Sequence, residues 1–246
     1  MLQDIMTVFW RDWLVLKRRL VKFIFARMVT PMLYLIAFGW GLGKNINVQS
    51  GSYLDFLVPG ILALNSMNIS FSGVALPLHT SRVYHKTLEE YLVAPIKSIS
   101  FIIGKLLSGV LRGLISSVII IIMAYLFGAS FVINLKFVMV LVLNCLIFSA
   151  VGFIAALLID AHEDMGNFNT YILLPMSFLC GTFFSTEKLP QIIHYFLELL
   201  PLTHASNALR VLGSNGELTI FPVAVLVIYA FGLSMTCWWC MENLKK

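Results

Sequence analysis

The chain has 246 residues, 59% of them hydrophobic and only 12% charged, with a mean hydropathy of +0.90. A soluble domain usually carries about 25% charged residues, so this composition excludes one and points to an integral membrane protein. The formal net charge of +5 does not mark nucleic-acid binding, because the basic residues are spread along one membrane face without interleaved stacking aromatics.

Leu2, Ile5, Met6, Phe9, Trp13, Leu16 and Leu20 recur at steps of three and four, with Gln3, Asp4, Thr7, Arg11, Lys17 and Arg18 mostly between them. This spacing predicts an amphipathic helix over 1–22, lying flat at the cytoplasmic interface, where its basic end suits an anionic leaflet. No small-residue cleavage site follows an apolar core there, so no cleavable signal peptide is expected.

Six apolar runs follow, near 23–42, 57–78, 99–127, 137–159, 170–185 and 218–241. Crossing a hydrocarbon core of about 30 Å takes about 20 helical residues, a length the fifth run barely approaches. The runs do not alternate polar and apolar at every second position, so helices are expected rather than barrel strands. The expected fold is an all-α integral membrane protein of six transmembrane helices, a single domain over 1–246. Six spans put both termini on one side. Of the 17 Lys and Arg, only Lys44, Lys136, Lys188 and Arg210 fall on the other, which places the termini in the cytoplasm.

Several polar groups interrupt these runs. Pro59 lies near the start of the second span, where a first-turn proline costs nothing extra. Asn65, Ser66, Asn68 and Ser70 lie within it, and must either bond a neighbouring helix or face a wet cavity. Asn65 and Asn68 are therefore candidates to line a substrate or lipid path, as are Lys105 and Arg112, which share one face of the third span. Arg112 lies about 10 Å deep if that span begins near Leu106. It either contacts a head group or pairs with Asp160, or else it snorkels to the interface. Gly109-x-x-x-Gly113 beside it is a close-packing signal.

Tests for chemistry are mostly negative. "GWGLGKN" (39–45) and "IIGKLL" (102–107) both lack the spacing of a phosphate-binding loop, so the chain is not expected to bind ATP by that motif. No metal-ligand spacing joins its histidines, and no metal or cofactor is expected on it. "CWWC" (237–240) sits in an apolar helix and reads as packing residues. "DAHEDMGNF" (160–168) reads as a solvated loop that meets a partner; an integral membrane enzyme using His162, Glu163 and Asp164 is the alternative. No Asp or Glu lies well inside a span, which disfavours a channel or secondary transporter. Between spans five and six, residues 185–216 hold two short amphipathic stretches and two prolines, and should form outer re-entrant helices.

The densest polar cluster is "YHKTLEEYLVAPIKS" (84–98). Thr87-Leu88-Glu89-Glu90 has capping-box form, with Thr87 at the helix start and Glu90 reaching back. Pro95 stops the helix. Tyr84, Leu88, Tyr91 and Leu92 share one face, leaving Lys86, Glu89 and Glu90 on others. A short, firmly bounded helix between two spans has the shape of a peg for a cytosolic socket.

Three ordered motifs carry a resemblance. "YLDFLVPGIL" (53–62), "KTLEEYLVAPIKSISFIIGKLL" (86–107) and "FLCGTFFSTEKLPQIIHYFLELLPLTHASNALR" (178–210) resemble signatures of the permease subunits of type-2 ATP-binding-cassette exporters. That family exports drugs, nodulation factors, lipids and polysaccharides. Lys86 stands where the family usually has Gly, Cys180 replaces Ser, Ser185 replaces Pro and Leu200 replaces Asn. The resemblance implies a transport subunit of the bacterial inner membrane that is not itself an enzyme. It would pair with a second permease subunit, identical or related, and dock an ATP-binding subunit that holds ATP and Mg. Thr87, Leu88, Glu89, Glu90, Tyr91, Leu92, Ala94 and Pro95 would form the coupling helix, with Glu163 and Asp164 adding contact. Spans one, two and five would line the path of an amphipathic or lipid-linked cargo. The outer helices would gate its exit, near Phe183, Phe184, Leu189 and Pro190.

Overall fold

The computed structural model describes residues 1–42, 53–182 and 190–244, and among them every regular element is a helix. Helix α1 (Leu2–Arg18) leads through Arg19 into α2 (Leu20–Tyr34), which continues as a π-helical stretch, Leu35–Leu42. The long α3 (Tyr53–Val83) is followed by the short α4 (Thr87–Val93), then α5 (Ser98–Leu126) and α6 (Leu135–Leu158). Next, α7 (His162–Phe168), a π-helical turn (Asn169–Leu173) and α8 (Leu174–Leu179) form one run. Two shorter helices, α9 (Gln191–Glu198) and α10 (Pro201–Gly213), precede α11 (Ile220–Asn243).

Five helices among the described residues are long and apolar enough to cross a membrane: Leu20–Phe38, Tyr53–Val83, Ser98–Leu126, Leu135–Leu158 and Ile220–Asn243. The expected fifth run, 170–185, does not reach that length here, since α8 ends at Leu179 and 183–185 lie outside the described residues. Helix α3 starts at Tyr53, so Pro59 lies inside it rather than in its first turn.

Helix α3 is the centre of the bundle. Over its most apolar stretch 72% of it is buried, against 11% for Leu20–Phe38 and 17% for Ile220–Asn243, which lie at the periphery. It packs against α5 and α6, with α10 across it. Lipid gives no hydrophobic reason for apolar helices to associate, so close backbone approach and polar bonds hold such a bundle. Both are present. A Cβ on Gly152 would lie 2.6 Å from the Phe71 carbonyl oxygen, and one on Gly109 or Gly113 would collide with Ser149 or Ser70. Asn65 Nδ2 donates to Ser116 Oγ (2.6 Å), and Asn144 Nδ2 donates to Ser66 Oγ (2.8 Å) and the Ala63 carbonyl (3.0 Å). The four cysteines are free and buried, as packing residues should be.

Helix α1 docks on α5. Val8 and Leu16 are buried, whereas Leu2 and Met6 from the expected apolar stripe are 83% and 61% exposed. The packed face is therefore rotated from the one the spacing suggested, and it contains Asp12.

Candidate functional site

The face of the bundle that carries α1 and α4, termed the near face, gathers most of the residues singled out from the sequence. Helix α4 starts after Lys86, which adopts the left-handed conformation (φ 53°), and no side chain caps it. The expected capping box is thus not formed: Thr87 Oγ1 instead lies 3.5 Å from the Ser81 carbonyl, and Lys86 supplies the turn. At the other end Ala94 is extended (ψ 149°), the conformation the following Pro95 demands. Leu88 is buried and Tyr91 half-buried, while Glu89 and Glu90 are exposed. Tyr84 lies outside the helix, its ring edge-on to His162 (6.3 Å between centroids), and the Leu92 side chain lies outside the described residues.

Tyr91 joins three elements. Its ring lies 5.0 Å from that of Phe101 on α5, and Arg11 Nη1 of α1 donates to its hydroxyl at 2.7 Å. One turn further along α5, Lys105 Nζ donates to both carboxylate oxygens of Asp12, at 3.0 and 2.8 Å, in a pair whose side chains are 6% and 13% exposed. Gly104 makes the approach feasible, since a Cβ there would lie 2.8 Å from Val8 Cβ. The Gly-Lys pair that failed as a phosphate loop is the seat of α1. Lys105 is therefore engaged in an internal ion pair.

Arg112 and Asp160 do not meet. Arg112 Nη1 donates to the Gly73 carbonyl at 2.8 Å, while Asp160 pairs with Arg82. Arg82 also donates to the carbonyls of Ala156 (3.3 Å) and Ile159 (3.1 Å), occupying acceptors that the end of α6 leaves open.

A half-open cavity of about 520 Å³ lies between α2, α3 and α7. Arg27, Thr30 and Tyr34 face it from α2, and Asn65, Asn68 and Ser72 from α3; each set is spaced i, i+3, i+7 and so forms one stripe. His162 and Glu163 stand at its near end, while Asp164 is exposed beside them. Phe168, stacked on Phe71 at 5.4 Å, fastens α7 to α3. Asn65 and Asn68 thus both bond within the bundle and line a cavity. Glu163 and Asp164 make no hydrogen bond or ion pair with α4 among the described residues.

On the far face, Phe183, Phe184 and Leu189 lie outside the described residues, and Pro190 is exposed at the start of α9. The sequence reading gave Arg210 no role of its own, yet it ties this face together. Its Nε donates to the Phe56 carbonyl (3.1 Å), its Nη2 donates to the carbonyls of Thr182 (2.9 Å) and Gly181, and its guanidinium lies 3.9 Å from the Phe56 ring centroid. Gly60 lies beneath, and a Cβ there would come 2.5 Å from the Thr182 carbonyl oxygen.

Residues 3–212 match the model of a family described as ABC-2 type transporter. The chain is similar to the inner membrane transport permease YadH of Escherichia coli K12, 28% identical over 215 residues that cover 86% of this chain and 84% of that protein. It is also similar to nodulation protein J of Bradyrhizobium diazoefficiens (24% over 229 residues, 91% and 87% covered) and of Rhizobium meliloti (25% over 224 residues, 89% and 86% covered). The family match spans the near-face junction, the cavity and Arg210 together, and the chain belongs to the ABC-2 type transporter family.

Proposed function

We propose that this chain is the permease subunit of an ATP-driven exporter in a bacterial inner membrane, moving an amphipathic or lipid-linked cargo such as a drug, lipid or glycolipid. A second permease subunit completes the path, and a separate subunit hydrolyses ATP with Mg. The near face is the cytoplasmic one, both termini lie there, and the apolar run expected at 170–185 makes the remaining crossing. Helix α4 is the coupling helix and meets the ATPase through Glu89 and Glu90, with Glu163 and Asp164 beside it. Helices α9 and α10 dip into the membrane from the far side and gate the exit.

The observation that carries this reading is α4 itself. It is held from below by Leu88 and Tyr91, bounded by Lys86 and Pro95, and presents two adjacent carboxylates to solvent between two spans of the bundle. Family membership supplies the partner class. The test is co-purification with a Walker-motif ATPase and ATP turnover by the assembly. Glu89→Ala/Glu90→Ala should lose turnover stimulation by the permease while the chain still folds. Unchanged assembly and transport in that double variant would remove α4 from the coupling role.

A further inference from the structure

The guanidiniums enclosed by the bundle have acceptors, with one exception. Arg82 has Asp160 and two carbonyls, Arg112 has Gly73, and Arg210 has three carbonyls. Arg27 is half-buried at the wall of the 520 Å³ cavity and makes no hydrogen bond or ion pair among the described residues; its guanidinium lies over the Phe23 ring of the same helix, 5.8 Å from the centroid. A cation at membrane depth without a counter-charge is costly, and such residues mark functional sites. Glu163, which also borders the cavity, is exposed and does not pair with it.

The cavity's chemistry is graded along its length. Arg27 lies one turn from Thr30 and two from Tyr34 along α2, so the charge sits at the near end and the uncharged hydroxyls lie up to about 10 Å deeper. Opposite them α3 offers the amides of Asn65 and Asn68 and the hydroxyl of Ser72, and Leu64, Ile69, Leu76 and Met165 supply apolar wall. The volume falls within the range of about 300–1,000 Å³ usual for small-ligand sites.

We propose that this cavity takes an amphiphile with a phosphate-type anionic head, Arg27 holding the head and the polar stripes of α2 and α3 receiving the uncharged part next to it. A guanidinium forks onto phosphate oxygens. The half-open side leaves room for an apolar tail. Naming this ligand as cargo rests on the permease reading; the binding itself does not.

The test is calorimetric titration of the full-length chain in dodecyl maltoside, with no ATPase present. The probes are oleyl phosphate, oleyl alcohol, inorganic phosphate and a dodecyltrimethylammonium salt. Oleyl phosphate should bind saturably, and Arg27→Gln should weaken it by about tenfold or more. Arg27→Lys should bind between the parent and Arg27→Gln, since the charge remains but the fork is lost. Glu163→Gln should bind as well or better. The proposal is overturned by tighter binding of the alcohol, the free phosphate or the cation, by non-saturating uptake, or by an unaffected Arg27→Gln variant whose melting temperature matches the parent. If ATP-driven turnover is established and oleyl phosphate does not bind, the site is wrong and the permease reading stands. If it binds and no ATPase ever assembles, the reverse holds.

Discussion

Lys105 and Asp12 form a nearly dry ion pair, 2.8 Å apart at their closest, between the helix that precedes the first span and the middle of the bundle. Removing one partner of a buried pair strands the other charge, which costs about 3–5 kcal/mol, whereas replacing both by apolar residues is often neutral. Asp12→Asn and Lys105→Met alone should therefore lower the apparent melting temperature in detergent sharply. Asp12→Leu/Lys105→Met together should recover most of the loss. A double variant no better than the two losses added would show that the pair does not act as a unit.

Lys86 holds a φ of 53°, a conformation that glycine adopts freely and other residues do not. Lys86→Gly should stabilise the closed form of α4 by about 1 kcal/mol, slowing hydrogen exchange of its amides about fivefold. Lys86→Val should do the opposite, because a β-branched side chain resists this region more strongly. Faster exchange in the glycine variant would mean that the turn is held by something other than this residue.

Arg210 reaches carbonyls of α3 and of the segment after α8 at once, a geometry that a lysine's single ammonium does not reproduce. Arg210→Lys should cost about 2–3 kcal/mol of stability, read from thermal unfolding. Gly60→Ala should cost about 1–3 kcal/mol, because its methyl would meet the Thr182 carbonyl rather than a side chain that can swing away. A Gly60→Ala variant as stable as the parent would show that the segment after α8 does not sit against α3 as described.

Arg82 closes the end of α6 on the carbonyls of Ala156 and Ile159. Arg82→Gln should free that end and Asp160 together, speeding exchange of the residue 156–164 amides while leaving the core of α3 protected. Uniform loss of protection across α3 would point instead to a general packing defect.

The long apolar helices were legible in the sequence because spanning lipid leaves a helix little choice of composition, and the ends observed for α5, α6 and α11 fall within two residues of those expected. The stop at Pro95 was legible for the same local reason. The start of α4 was not: Thr87 has the residue type of a cap, but the left-handed turn at Lys86 points its hydroxyl back toward α3. The partners of the charged residues were hidden further, since a charge pairs across space. Asp12 finds its partner only on α5, 93 positions later. Arg112 bonds the Gly73 carbonyl, and Asp160, one of the partners open to it, pairs with Arg82. The cavity depends on the spacing of three helices, and only its polar stripe on α3 could be read in advance.

The distance in sequence between Asp12 and Lys105 also sets an order of assembly. A ribosome adding about 5–20 residues per second reaches Lys105 roughly 5–20 s after Asp12. Until then the N-terminal helix has no seat on α5, and its carboxylate has no counter-ion there. When the later helix inserts, its ammonium meets a counter-ion already in place at the rim. Synthesis in this order brings the lysine into the membrane beside its neutralising partner.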